Sequence, residues 1–171
     1  MLTLEDYYEA YKYVSTNEGW ALTCDPIPTM GGTTQGWLDA IGVKMNIADL
    51  TPTIQRELYL DYIWGPCKYN ELNNVKVATK VFDMNINMGQ YQAHLLFQRA
   101  INDVLYEQLK VDGIVGNKTI KNANFCNSDN LLKCMAKRSI DFYNLLVKKN
   151  PSNAKYTDSW LRRAKWPCKE I

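Results

Sequence analysis

Glu18 is the residue of this chain whose place in the sequence could do acid–base chemistry. It ends a stretch in which Leu4, Tyr7, Tyr8, Tyr11, Val14 and Ser15 recur at helical spacing, which predicts an amphipathic helix over 3–17. At about 100° per residue, Glu18 falls roughly 40° from Leu4, on the apolar side. It also stands at the carboxyl end of that helix, where the macrodipole disfavours negative charge. Desolvation and dipole together are expected to favour the protonated form. A carboxylic acid kept protonated is what a glycosidase needs to protonate a leaving sugar oxygen.

Other chemistries find less support. The only histidine is His94, and the five cysteines (Cys24, Cys67, Cys126, Cys134, Cys168) show no CxxC spacing, so no metal site and no cofactor is expected. An odd cysteine count leaves one or two disulfides open, with at least one thiol free or paired between chains. Asp83 and Asn87 are four apart and share a helix face, expected to point away from the stripe of Ala78, Val81 and Phe82. On that reading Asn87 hydrogen-bonds a sugar hydroxyl or N-acetyl group and Asp83 orients it. Trp20, Trp37, Tyr62 and Tyr91 offer aromatic planes on which sugar rings pack.

The elements that must position these residues read as helices with short connections. After Glu18-Gly19, residues 19–50 are punctuated by Pro26, Pro28, Gly31, Gly32, Gly36 and Gly42 and are expected to be loop-rich with small strands. Thr51-Pro52 starts a helix that stops at Gly65-Pro66. Further helices are expected over 75–88, through Ala93–Val104, from a cap at Asn117, from Ser128 to Asn150-Pro151, and around Trp160. The segment from Asp112-Gly113 to Thr119 reads as a turn leading to a capped helix.

In order, Glu18-Gly19-Trp20, Asp25-Pro26 and Gly31-Gly32-Thr33-Thr34 resemble the signature of glycoside hydrolase family 108, the N-acetylmuramidases of phages and prophages, sometimes labelled secretion activators. The similarity continues near Trp64, through Val81–Gly89, and then through Ala93–Ala100 and Val111–Thr119, which resemble that family's peptidoglycan-binding-type region. The resemblance implies a mainly α, lysozyme-like helical fold with a small β or loop-rich lobe. It also implies a catalytic region over 1–83 and a helical peptidoglycan-binding-like region over 84–171, packed as one compact unit.

By the same resemblance Glu18 is the catalytic acid and Thr34 carries a hydroxyl that orients an attacking water. Trp20 replaces a second glycine, Thr29 stands where an acid precedes the Gly-Gly pair, and Gln35-Gly36 is one residue short. The water-activating partner is therefore open, with Asp25 the nearest substitute, and inversion or retention is unassigned. Trp20, Asn87, Asp83 and Tyr62 are the expected substrate contacts.

The implied function is hydrolysis of the β-1,4 bond between N-acetylmuramic acid and N-acetylglucosamine in peptidoglycan glycan strands. The alternative is a non-catalytic wall-binding or virion structural module that keeps the fold. Net charge is +2, but ten Lys or Arg against three acids from Leu131 onward give that segment +7. Such a segment suits an anionic polymer, yet no nucleic-acid motif accompanies it, and no nucleic-acid partner is expected. No apolar run approaches the ~20 residues of a membrane span. The N-terminus lacks a basic region followed by an apolar stretch. The expectation is a monomer made in the cytoplasm without a signal peptide, reaching the wall by release such as a holin-type pore.

Overall fold

The computed structural model describes residues 1–24, 27–106 and 108–168. The first helix, α1 (Leu4–Glu18), opens with a capping box: the Thr3 hydroxyl accepts from the Asp6 amide, and the Asp6 carboxyl accepts from the Thr3 amide. It buries Tyr7, Ala10, Tyr11 and Val14. Leu4 and Tyr8 lie on the exposed side instead. The buried stripe still runs toward Glu18, because Val14 and Glu18 are one turn apart and about 40° apart around the axis. The expected geometry at Glu18 therefore stands on Tyr7, Tyr11 and Val14 rather than on Leu4.

The glycine-punctuated stretch folds into a three-stranded antiparallel sheet of two-residue strands: β1 (Leu22–Thr23), β2 (Thr29–Met30) and β3 (Thr33–Thr34). The β2–β3 pair places Met30 opposite Thr33, with Gly31-Gly32 as the turn. A short helix α2 (Gln35–Ala40) follows, capped by Thr34. Then comes α3 (Pro52–Tyr59), with Thr51 as cap and Pro52 at its first position. The chain continues as a π-turn over Leu60–Trp64 rather than stopping cleanly at Gly65.

The helical body comprises α4 (Val75–Met88), α5 (Gln90–Leu105), α6 (Asn117–Phe125), α7 (Ser128–Lys149) and α8 (Thr157–Lys165). Gly89, at φ +84°, turns the chain between α4 and α5 in a backbone region that a side chain disfavours. Asn117 is the first residue of α6 rather than its cap, and its side chain accepts from Lys68 Nζ at 2.8 Å. The Asp112-Gly113 turn is held by Gln98, whose amide oxygen accepts from both backbone N–H groups of that turn and whose amide donates to Asp112 Oδ1 and Ile114 O. That grip gives the segment a structural role.

The main core gathers Tyr7, Tyr59, Trp64, Tyr69 and Phe82, with tilted or edge-on rings 5.3–6.3 Å apart. It continues without a break into Leu96, Phe97, Ile101, Leu131 and Met135. The expected boundary after residue 83 falls inside α4, whose residues Val77–Asn85 are all buried. Among the described residues no helix is long and apolar enough to cross a membrane, and all five cysteines are free thiols.

His94 sits inside this body, 1% exposed, with Nδ1 3.0 Å from Gly113 O and Nε2 2.7 Å from the Tyr69 hydroxyl. Asn85 donates to that same hydroxyl at 2.9 Å. The hydroxyl therefore donates to Nε2, and Nδ1 carries the proton that Gly113 accepts, which is a neutral imidazole. Burial lowers its pKa below the ordinary 6.5, outweighing the opposing bond to Gly113. An unfolded imidazole binds a proton at a higher pH than the folded one does. Stability from His94 is thus fully present above 6.5 and is lost as pH falls toward the folded value. The single imidazole resonance is expected to titrate below 6.5 by NMR, with the urea midpoint falling over the same window. Titration at or above 6.5 would show that the buried neutral form is not what the fold selects.

Candidate active site

Glu18 lies where α1 gives way to the β lobe, its side chain 17% exposed. The β2–β3 turn closes against it. A Cβ built on Gly32 would lie 2.7–2.8 Å from Cγ, Cδ and Oε2 of Glu18, and Gly32 also takes φ +84°. Only glycine satisfies both the approach and the backbone.

The turn is anchored from beneath by Gln55 of α3, 1% exposed. Its amide donates to Gly31 O at 2.8 Å and Thr33 Oγ1 at 2.7 Å, while its carbonyl accepts from the Tyr11 hydroxyl at 2.9 Å. Thr33 Oγ1 also meets the Tyr59 hydroxyl at 2.7 Å. These polar groups are buried and fully paired, so they fix the turn rather than loosen it.

On its other side Glu18 meets Arg163 of α8, 145 residues along the chain. Arg163 is 4% exposed and donates through Nε and Nη2 to the carboxyl of Asp83, at 3.1 Å and 2.8 Å to Oδ1. Asp83 is itself 2% exposed. Burial works against the charge on Arg163, but Asp83 and Glu18 together hold its pKa above the ordinary value.

Lys80, one turn before Asp83 on α4, donates to the carbonyls of Arg163 and Ala164 at 2.7 Å each. Burial pushes its pKa down to about 8, so the ammonium remains charged at neutral pH. A cation there also complements the last turn of α8. Helix α4 therefore grips Arg163 by backbone and side chain alike. Tyr13 of α1 stacks on Trp166 just beyond α8, with centroids 4.1 Å apart.

The expectation for Glu18 was built from burial and the helix dipole alone and lacked this guanidinium, a donor suited to an ionised carboxyl. The face assigned to Asp83 and Asn87 also differs from expectation, because α4 is buried on every side over Val77–Asn85, with Asn87 half-buried beyond it. Asp83 orients Arg163 rather than Asn87. The Asn87 amide donates to the Tyr143 hydroxyl at 2.5 Å, and Tyr143 in turn stacks on Trp160 of α8 at 5.0 Å.

A cleft of about 270 Å³ begins at Gly32. Thr33, Thr34 and Trp37 form one wall; Ile86, Gly89 and Gln90, at the α4–α5 corner, form the other. Thr34 Oγ1 accepts from the Trp37 amide at 3.1 Å, which leaves its proton free to be donated into the cleft. Trp20 is 41% exposed, its ring against Gly31. Tyr62 is 43% exposed and edge-on to Trp37, 6.5 Å between centroids. Asp25 lies outside the described residues.

The structure thus gathers Glu18, Trp20 and Thr34 around the β2–β3 turn, and puts Asp83 behind Glu18 through Arg163. Sequence reasoning missed Arg163 and Gln55. A buried arginine on a short helix in a basic segment carries no local signal, whereas Gln55 is one turn from a recognisable cap.

Residues 11–89 match the family described as Glycosyl hydrolase 108, and residues 92–165 match one described as Predicted Peptidoglycan domain. No curated protein matches the chain. Among solved structures, that of Brucella abortus SagA is similar, with a TM-score of 0.75 at 19% identity over 95% of this chain and 91% of that one. That likeness establishes a mainly α, lysozyme-like fold with a small sheet. With Glu18 and the turn it packs against lying inside the first matched segment and Arg163 supplied from the second, the chain joins a segment similar to glycosyl hydrolase 108 to one similar to the peptidoglycan domain and is a peptidoglycan hydrolase of the lysozyme type.

Proposed function

We propose that the protein cleaves the β-1,4 bond between N-acetylmuramic acid and N-acetylglucosamine, with Glu18 as general acid. The observation that carries this reading is the placement of Glu18. Its partly exposed carboxyl is packed against Gly32 at the end of the cleft and tied from behind to the buried Arg163.

The charge of Arg163 is already answered by Asp83 through both carboxyl oxygens. Glu18 is the second carboxyl on that guanidinium and the more exposed of the two, so it is the one a substrate can reach while the buried pair stays intact. As general acid it gives a proton to the glycosidic oxygen as the bond to the sugar C1 breaks. Water adds at C1 and sheds its surplus proton to solvent, from which Glu18 is reprotonated for the next turnover.

Thr34, with its hydroxyl proton unspent, orients that water. No carboxylate is among the described residues that line the cleft, and Asp25 is the candidate for the water-activating one. Trp20 and Tyr62, both exposed near the turn, supply apolar planes for sugar faces. The work is done at the cell wall, on glycan strands.

Mass spectrometry of digested peptidoglycan tests the bond. The expected products are muropeptides ending in reducing N-acetylmuramic acid. Reducing N-acetylglucosamine ends would assign a different bond.

A further inference from the structure

A second concavity, about 190 Å³, lies between α5 and α7, away from Glu18. Leu96, Phe142 and Leu145 form its apolar surface; Arg99, Arg138 and Asp141 form its rim. Arg138 is spent on Asp103, with two bonds of 2.6 Å. Arg99 and Asp141 are exposed, and neither forms an ion pair among the described residues. The groove therefore offers one free guanidinium, one free carboxylate and an apolar floor on which Leu145 is 47% exposed.

That is the complement of a short peptide carrying carboxylates, an amine and small methyl side chains. Peptidoglycan stem peptides, alanine-rich with free carboxyls and a diamino acid, have this chemistry. Two placements favour them over other peptides. Every lining residue falls within 92–165, the segment that matches the peptidoglycan domain. And the groove and the cleft flank the first turn of α5: Gln90 lines the cleft and Gln92 the groove, on opposite sides of it. Passing round a helix about 10–12 Å across takes roughly 16–19 Å, which about five or six extended residues cover.

We propose that the α5–α7 groove binds the stem peptide of the strand whose glycan occupies the cleft, Arg99 taking a peptide carboxylate and Asp141 its amine. The proposal rests on the muramidase reading for the glycan, and it makes the enzyme selective for peptide-bearing strands.

The test compares kcat/KM on strands with stem peptides intact and on the same strands stripped by an amidase. The wild-type protein is expected to prefer the intact strands, and Arg99→Gln to reduce that preference about tenfold. No preference in the wild type, or one unchanged in Arg99→Gln, overturns the groove.

A second measurement does not need turnover. A soluble stem tetrapeptide titrated into the Glu18→Gln protein is expected to shift the methyl resonances of Leu96 and Leu145. Shifts confined to Ile63 and Ile86 in the cleft, or none, overturn the proposal. If the wild type cleaves neither strand, the muramidase reading fails by itself, and the methyl shifts alone decide the groove.

Discussion

Glu18→Gln is expected to lower turnover of peptidoglycan by about 1,000-fold, within the range that a positioned general acid supplies, while leaving the fold nearly unchanged. The substitution keeps the shape of the side chain, so the packing of Cγ and Cδ against Gly32 persists. An amide oxygen still accepts from Arg163, and the buried pair of Arg163 with Asp83 is not touched. What disappears is the proton. Loss of turbidity in a wall suspension reads the activity, and a urea curve reads the fold. A variant retaining more than a tenth of wild-type turnover would remove Glu18 from its role. A variant that lost activity together with its cooperative unfolding would leave the acid untested, which is why wall sedimentation of the same protein belongs beside it. Binding without cleavage is the expected outcome.

The placement of Glu18 was legible because the signals that set it are local. A period of 3.6 residues in α1 and a glycine pair thirteen residues on suffice to bring a carboxyl against a turn. Caps were legible for the same reason: Thr51-Pro52 starts α3 and Gly89 separates α4 from α5, as expected. The stripe itself was misread at Leu4, since an apolar residue at a helix start is as easily left exposed as buried.

The larger misreading was α4. An amphipathic reading presumes a solvent face, and a helix enclosed over Val77–Asn85 has none there, so Asp83 was assigned an outside that does not exist, while the half-buried Asn87 turns to Tyr143. Their real partners, Arg163 and Tyr143, lie 80 and 56 residues away. Nothing in the spacing of either residue encodes them. The basic excess after Leu131 hid the point further, because Arg163 reads as one more solvated cation until α8 is seen docked with that side chain 4% exposed.

Removing that cation carries the second large effect. Arg163→Ala leaves Asp83, whose side chain is 3% exposed, as a buried carboxylate without its partner. Breaking such a pair from one side costs about 3–5 kcal/mol, a large share of the ~5–15 kcal/mol that holds a domain of this kind together. The urea midpoint should fall accordingly; a loss below about 1 kcal/mol would mean that Asp83 finds water or another donor, and that the pair does not organise α8. Lys80 still holds the carbonyls of residues 163 and 164 in the variant, so α8 is expected to loosen at the site before it detaches.

Stability and catalysis can then be separated. Changing Asp83→Leu and Arg163→Met together removes both charges and replaces them with apolar volume, which typically restores most of the lost stability. It does not restore the group behind Glu18. A double variant that unfolds like the wild type yet turns over at least tenfold more slowly would identify Arg163 as the residue that positions the acid. Arg163→Lys sharpens the distinction: a point charge can answer Asp83 but cannot present a planar fork to two carboxyls at once, so it should keep more of the stability than of the turnover. Full activity in the double variant would instead show that Gly32 and the packing of α1 hold Glu18 unaided, and would confine Arg163 to the fold.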